Sequence, residues 1–565
     1  MLEQLFLAAL PLLFAYLFAK VRYSRFKQYA SFPQLKPSLV WGHMKAINDF
    51  TVRGKLDRHI DDILGEMSDE LGNPPFLMLD VRPAARAMLV ITSHDVAEQI
   101  SKSSKLFPWS VTKSPTFGPL EYIVGSRSIL IKEGMEWKNT RKTYNPGFAP
   151  QHLMSLLPCI LDKAEPFVKN LDHYARSGET FRLDELTIGL TFDIIGAVVM
   201  DTDFDAQHLD KSRRGELIQL FNKLTHTYQN FDGQLPWWFY PRREYRRWRL
   251  SVQIDRAVKN IIRQKFEEQQ QRQQSDSGHK LPSRSVLALS LQGTDKLTEG
   301  LLSSISDQVK TFMFAGHDTT AILLGWIFYD LSRTPGALKT VRAELDEIFG
   351  PDPDTDSVRS KLLSKDGEDM VRRMSYISAV IKETLRLHPP AASARYSAPG
   401  TGFVVRTPQG DDVCLDGIVL YNCHKVIQRD RAVYGETAND FMPERWLGDS
   451  DTSMEDKDTH STGTDHKKIP ASAWRPFERG PRNCIGQELA NIEARVIIAV
   501  VARRYDIVKI GMGEVDLDEK GQPTLNEKGQ YKVKSELYST QNVTAKAVDG
   551  NVMKVRLAPK ASGAT

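Results

Sequence analysis

Apolar residues recur at three- and four-residue spacing through residues 151 to 200, 210 to 230, 250 to 266, 303 to 333 and 375 to 387, a pattern that predicts long helices across the middle of the chain. Short strand-like runs near 76 to 82, 87 to 92, 403 to 406 and 412 to 420, and again in YKVKSELY and VMKVRLA towards the C-terminus, predict strands with Gly and Pro between them. The expected fold class is therefore mainly α, a large helical body with small β-sheets. EEQQQRQQSDSGHK (267 to 280) and GDSDTSMEDKDTHSTGTDHKK (448 to 468) offer almost nothing to bury and predict surface loops within the body, not linkers between domains. No internal repeat is expected.

The first segment, MLEQLFLAALPLLFAYLFAK, is nearly unbroken apolar sequence from Leu5 to Ala19, followed by Lys20, Arg22, Arg25 and Lys27. It reads as a transmembrane anchor over residues 1–20, since a cleaved secretory signal carries its positive charge before the apolar run and here the charge follows it. The basic flank then stays in the cytosol, with the body behind it. Residues 21–40, which include Pro33 and Pro37, read as a basic, proline-containing hinge. On that topology the Asn542-Val543-Thr544 sequon is a coincidence, because glycosylation needs the lumen.

Composition narrows the function. The 75 basic residues are nearly balanced by 71 acidic ones, for a net charge of +4, which does not suggest a nucleic-acid binder. Four scattered cysteines, Cys159, Cys414, Cys423 and Cys484, form neither a disulfide framework nor a CxxC zinc pair. One of them stands out. FERGPRNCIG (477 to 486) surrounds Cys484 with Arg479, Arg482 and two glycines, and the helical run after Gly486 would turn its positive N-terminal end towards the sulfur. A thiolate held this way can be a nucleophile or a metal ligand; without a nearby His, Asn or Asp arrangement, the ligand reading is better.

At this point the chain resembles the haem-thiolate monooxygenases, the cytochromes P450. Phe477, Gly480, Arg482, Cys484 and Gly486 match every fixed position of that family's FxxGxRxCxG signature. KETLRLHPP carries Glu383 and Arg386 on one helix face, and Pro443-Glu444-Arg445-Trp446 is similar to the family's PERF segment. The resemblance implies a structural Glu383–Arg386–Arg445 network bracing the cysteine loop. AGHDTT interrupts the apolar helix over 303 to 333, which alone would read as a packing defect. The family implies instead that it lies over the haem with a widened turn that admits oxygen and water, with Thr319 as hydroxyl relay, Asp318 as proton-delivery carboxylate and Gly316 making room for oxygen. It further implies Cys484 as the axial ligand of haem b, and Trp137, Arg141, Arg395 and Arg482 as partners of the haem propionates. His388 reads as a helix-end residue, because a second protein ligand would block oxygen.

The resemblance covers nearly the whole chain and implies one catalytic domain, residues 41–565, folded as a triangular helical prism. It implies reductive oxygen activation with electrons from a separate NADPH-cytochrome P450 reductase, with cytochrome b5 as a further donor. Lys138, Arg141, Lys142, Arg475 and Arg479 would form a basic docking face, although solvated charge is nearly as good a reading. A hydrophobic substrate is expected in a pocket lined between Phe107 and Val124, around Phe221 to Tyr240, at Phe312 and Ala315, by Ala391 to Ala394 and by Ser539 to Asn542. The cluster LPWWFYPRR (235 to 243) could instead dip into the membrane interface. The haem region and anchor are most similar to fungal microsomal members, which places the protein in the endoplasmic reticulum membrane and favours secondary-metabolite oxidation over fatty-acid or alkane hydroxylation. An oxygen-independent haem-thiolate isomerase or dehydratase, and a non-enzymatic haem-binding protein, share the cysteine loop but have less use for the Asp318–Thr319 pair.

Overall fold

Glu299–Arg333 forms one helix 35 residues long, and most of its side chains are buried. The computed structural model that shows it describes residues 2–228, 239–274, 284–448 and 468–559. Thr298 caps this central helix by accepting the Leu301 N–H at 3.3 Å. A second apolar helix, Leu183–Met200, lies along it. The two approach closely because Gly316 has no side chain: a Cβ there would sit 2.7 Å from Ile195 Cδ1. The Thr191 hydroxyl donates to the His317 carbonyl at 2.9 Å, joining the helices at the same level. The helices Leu157–Ser177, Ser375–Leu387 and Gln487–Val501 complete the surrounding layer. Together they bury one continuous apolar cluster running from Ile123 to Val555.

The sheets are small and peripheral, as expected. A four-stranded sheet is ordered Phe76–Leu79, Met88–Ile91, Val419–Asn422, Ser393–Tyr396, with Met88 opposite Val419 in its one parallel pairing. A three-stranded sheet joins Phe181–Arg182, Val552–Leu557 and Tyr505–Lys509. The predicted mainly helical architecture is present, with corrections. The run 151 to 200 is three helices, because Ser155-Leu156 and residues 178 to 182 break it. EEQQQRQQ is the last part of the helix Pro241–Gln274 and not a loop, since Gln, Glu and Arg are good helix formers that need no burial. The rest of that expected loop, and most of 448 to 468, lie outside the described residues.

YKVKSELY forms no strand; residues 515 to 533 make isolated bridges, Val515 to Val533 and Leu525 to Tyr531. They also hold a repeat that the sequence reading did not expect. In LDEKGQ and LNEKGQ, Asp518 and Asn526 each accept two backbone N–H groups at 2.8 to 3.0 Å, those of Lys520 and Gln522 and those of Lys528 and Gln530. The same side-chain oxygen closes the same turn twice.

The N-terminal segment is helical from Leu2 to Phe26, past the expected end at residue 20, so the expected hinge begins as helix. Its apolar side chains from Leu10 to Phe18 are exposed. Among the described residues no helix is long and apolar enough to cross a membrane, so the expected spanning anchor finds no support there. Arg25, expected as part of a free basic flank, is buried: it pairs with Asp80 at 2.7 Å and donates to Leu39 O and Val40 O, pinning the helix end to the body.

Under the central helix lies the expected buried ion network. Glu383 Oε2 and Oε1 accept from Arg386 at 2.9 and 2.8 Å, and Oε1 accepts from Arg445 Nε and Met442 N, each at 3.0 Å. Trp446 Nε1, which the sequence reading left out, donates to Oε2 at 2.9 Å. Arg386 spends its remaining donors on the carbonyls of Gln428, Ala438 and Asp440. Burial raises the Glu383 carboxyl, but these cations and donors outweigh it and hold its pKa below the ordinary value. Replacing Glu383 by Ala would strand two buried arginines, which costs about 3–5 kcal/mol. Thermal unfolding of Glu383→Ala should show a matching loss of stability; an unchanged midpoint would mean that the network is dispensable.

Candidate active site

Cys484 sits at the end of a loop wound by its own backbone. Its N–H donates to the Phe477 carbonyl at 2.8 Å, so the ten residues from 477 to 486 double back beneath the sulfur. Gly480 makes the turn with φ +75°, and a Cβ there would lie 2.1 Å from the Ser101 carbonyl oxygen. No other residue fits. Gly486 starts the helix Gln487–Val501 and points its N–H at the sulfur, as the sequence reading required. Burial pushes the Cys484 thiol up; the Gly486 N–H and the charges of Arg141 and Lys113 pull the other way.

Cys484 is nevertheless exposed, although enough protein surrounds it for burial to raise its pKa. The central helix likewise carries exposed positions among buried ones. Ala315 is exposed and Gly316 and Thr319 are half-exposed, although Phe312, Met313, Phe314, His317, Asp318 and Thr320 around them are buried. Positions 315, 316 and 319 share one helix face. Exposed positions within an otherwise buried region, at Cys484 and on that face, point to an internal space that protein atoms do not fill.

The cations expected for propionates gather around this space. Arg395, on the strand Ser393–Tyr396, is fully buried, yet Nε, Nη1 and Nη2 all lack a hydrogen-bond partner among the described residues. Burial holds its pKa down to about 10. A buried guanidinium with all its nitrogens unspent is a ready seat for a carboxylate. Arg482 pairs with Glu133 at 2.5 Å and lies 4.9 Å over the Trp137 ring, which is itself buried against Trp109. Arg141 donates to the Asn483 carbonyl at 2.7 Å and to its side chain at 3.0 Å, so it steadies the residue before Cys484. Sequence reasoning missed one member, Lys113. Thr112 and Ser114 bond to Tyr396 and Ala394, which sets Lys113 opposite Arg395 as an added edge strand. Burial drives the Lys113 pKa well down, and Arg395 and Arg482 push the same way. No local motif announces it, because only long-range strand pairing brings it here. The donor set, an accessible sulfur and the unspent guanidinium of Arg395 with Arg482 and Lys113 beside it, fits a metalloporphyrin with two carboxylates.

On the other side the structure revises three expectations. The central helix runs unbroken through AGHDTT, with no widened turn, and the missing side chain of Gly316 makes room for Ile195. Asp318 is not turned to the cavity. It forms a buried ion pair with Lys546 at 2.6 Å and accepts the Thr544 hydroxyl at 2.5 Å, both on the strand Thr544–Ala547. Burial raises its carboxyl, but Lys546 and its neighbours hold the pKa below the ordinary value. Thr319 does face the cavity, with its hydroxyl donating to the Ala315 carbonyl at 2.8 Å. The oxygen keeps its acceptor sites for whatever occupies the space.

Other expected members disperse. Phe107 packs edge-on against Phe403 in a separate apolar cluster, and Phe312 packs on Tyr144 and Phe148. Phe221 is buried against Phe192 and His317. Residues 229–238, which include the first four residues of the expected interface cluster, lie outside the described residues. Arg475 cannot belong to a docking face: it is fully buried between Glu98, at 3.2 Å, and Glu478. Arg479 donates to Glu98 at 2.9 Å, which leaves Lys138 and Lys142 as the exposed charges of that group. His388 is a helix end, as expected, and stacks on Trp326 with ring centroids 3.8 Å apart.

The family model described as Cytochrome P450 matches residues 40–534. "Cytochrome P450 monooxygenase acrF" of Aspergillus aculeatus is 31% identical over 76% of this chain and 83% of its own length. "Cytochrome P450 monooxygenase polC" of Polytolypa hystricis is 30% identical over 79% of this chain and 76% of its own. Among solved structures, that of a cytochrome P450DA heme domain superposes with a TM-score of 0.68 at 18% identity, covering 94% of this chain and 98% of that one.

The tight turn at Gly480 yields a direct prediction. Gly480→Ala must either displace Ser101 or unwind the cysteine loop, so the purified variant should carry little haem. Haem content equal to the wild type, read from the pyridine haemochrome, would contradict it.

Proposed function

Because the chain belongs to the cytochrome P450 family, whose members are monooxygenases carrying haem b on a cysteine thiolate, we propose that it oxidises a hydrophobic small molecule with one atom of dioxygen, in the first instance a secondary metabolite. The observations that carry this reading are the accessible Cys484 sulfur, the accessible Ala315–Thr319 face of an otherwise buried helix and the unspent guanidinium of Arg395, which together point to one internal space. When bound, the haem supplies oxygen activation and the one-electron chemistry that side chains lack. Cys484 would hold the iron as thiolate, which a coordinating metal deprotonates outright. Arg395, Arg482 and Lys113 would bind the carboxylate edge, with Trp137 fixing Arg482 and Arg141 fixing the cysteine loop.

Proton handling falls to Thr319 and Asp318. The Thr319 hydroxyl can accept a hydrogen bond while it still donates to Ala315, and it releases that bond to pass a proton into the cavity. Asp318 serves as the donor behind it only after it leaves Lys546 and Thr544, so their grip would restrict proton supply. Ala315 offers the bound substrate a small apolar wall.

Electrons would come from a separate NADPH-dependent flavoprotein reductase, with cytochrome b5 as a second donor, docking on the side that carries Lys138 and Lys142. A relative from Gibberella moniliformis named as a bifunctional cytochrome P450/NADPH–P450 reductase, 26% identical over 79% of this chain and 37% of its own length, has both functions in one name. The exposed apolar side chains of the N-terminal helix, among them Leu12, Leu13 and Phe14, support attachment to the endoplasmic reticulum membrane with the body in the cytosol.

The test is turnover by the wild type and by Thr319→Ala with added reductase and NADPH, using extracts of candidate metabolites. The wild type should consume NADPH and gain one oxygen in the product. The variant should still consume NADPH but form product at least about ten-fold less efficiently, with hydrogen peroxide making up the difference. Unchanged coupling in Thr319→Ala would remove Thr319 from the proton path.

A further inference from the structure

Glu478, the second residue of the cysteine loop, is a buried carboxylate that nothing above requires. Its backbone is left-handed, φ +57°, a conformation that suits glycine and strains any side chain by roughly 1–2 kcal/mol. A loop that needed only the turn would have glycine here. The side chain instead collects four donors: Ser101 Oγ at 2.7 Å, His424 Nε2 at 2.9 Å, Asn422 Nδ2 at 3.5 Å, and Arg475 Nη2. Its neighbour Phe477 accepts the Cys484 N–H, so the carboxylate stands one residue from the backbone contact that positions the sulfur.

The surrounding charges make this anion matter. Glu98 is shared by Arg475, Arg479 and Lys102; Arg482 has Glu133. Among the described residues Arg395 has no ion-pair partner, and Glu478 is the strongest of the charges that favour its cation. Glu478 therefore stands as the negative counterpart of the guanidinium proposed to bind the haem carboxylates. We infer that Glu478 sets the reduction potential of the haem, its fixed negative charge behind Arg395 and Cys484 holding the ferric state favoured until an electron is supplied. In a poorly screened interior, an extra anion near the metal disfavours the form with one more electron, so removing it moves the potential positive. The step concerned is the addition of one electron from the reductant to ferric iron, giving ferrous iron, with no bond broken in the protein.

This inference rests on the haem reading above, and its test separates the two. The full-length wild type, Glu478→Gln, Glu478→Gly and Glu478→Asp are loaded with haem, checked by pyridine haemochrome, and titrated by spectroelectrochemistry. Glu478→Gln and Glu478→Gly should shift the midpoint positive by the same amount, while Glu478→Asp, which keeps the charge, stays near the wild type. Glu478→Gly relieves the left-handed strain, so it keeps the fold in play if Glu478→Gln does not. A wild type without haem would sink the haem reading. Haem-loaded Glu478→Gln with an unmoved midpoint, a Glu478→Asp shift as large as that of Glu478→Gln, or loss of haem from both neutral variants would make Glu478 a packing residue and overturn this inference alone.

Discussion

The site depends on one buried carboxylate far from the chemistry. Glu383 holds Arg386 and Arg445, and Arg386 passes the constraint on through the Gln428 carbonyl at 2.9 Å. The Gln428 side chain then accepts the Arg475 N–H at 2.8 Å, Arg475 grips Glu478, and the loop of Glu478 closes on Cys484. The links from Glu383 to Arg475 through Arg386 and Gln428 are buried hydrogen bonds, and the last ones, at Glu478 and Cys484, are partly buried. In such a medium, bonds are strong when made and costly when missing, so the chain fixes the sulfur within narrow limits. The covalent sequence alone could not do this, because some hundred residues separate Glu383 from Cys484.

The opposite wall is fixed in a different way. There the central helix and the helix Leu183–Met200 are held close by Gly316 and by the Thr191–His317 bond, and the small side chain of Ala315 leaves the exposed face bare. Asp318 leans out of this wall onto Lys546 of the C-terminal hairpin. On the proposed role of Asp318, proton supply would be tied to the strand that carries Thr544 and Lys546. That strand follows Ser539–Asn542, a segment expected to line the substrate pocket, and the two pair in antiparallel register. Movement of the hairpin around a substrate would reach the Asp318 ion pair directly.

Much of this was legible in the residues. FERGPRNCIG carries its turn glycine, its cation and its ligand in one stretch, and the Glu383–Arg386 spacing puts both on one helix face. Trp446 escaped because an indole donor leaves no charge pattern to read. Lys113 escaped because only strand pairing across the molecule sets it beside Arg395. The same blindness sent Arg475 to the surface: a sequence shows a cation but not the two carboxylates that bury it. For Asp318 the motif located the residue correctly and its partner on the C-terminal strand decided its orientation. The LDEKGQ and LNEKGQ turns were missed by looking for repeats of domain scale, not of a single turn.

The central claim is that the Cys484 sulfur ligates haem iron as a thiolate. The most direct measurement is the absorption spectrum of the dithionite-reduced protein under carbon monoxide. The account predicts the red-shifted Soret band that thiolate ligation gives, and its loss in Cys484→Ser. A wild-type band without that red shift in folded protein, or a thiolate-type band that survives Cys484→Ser, would contradict it.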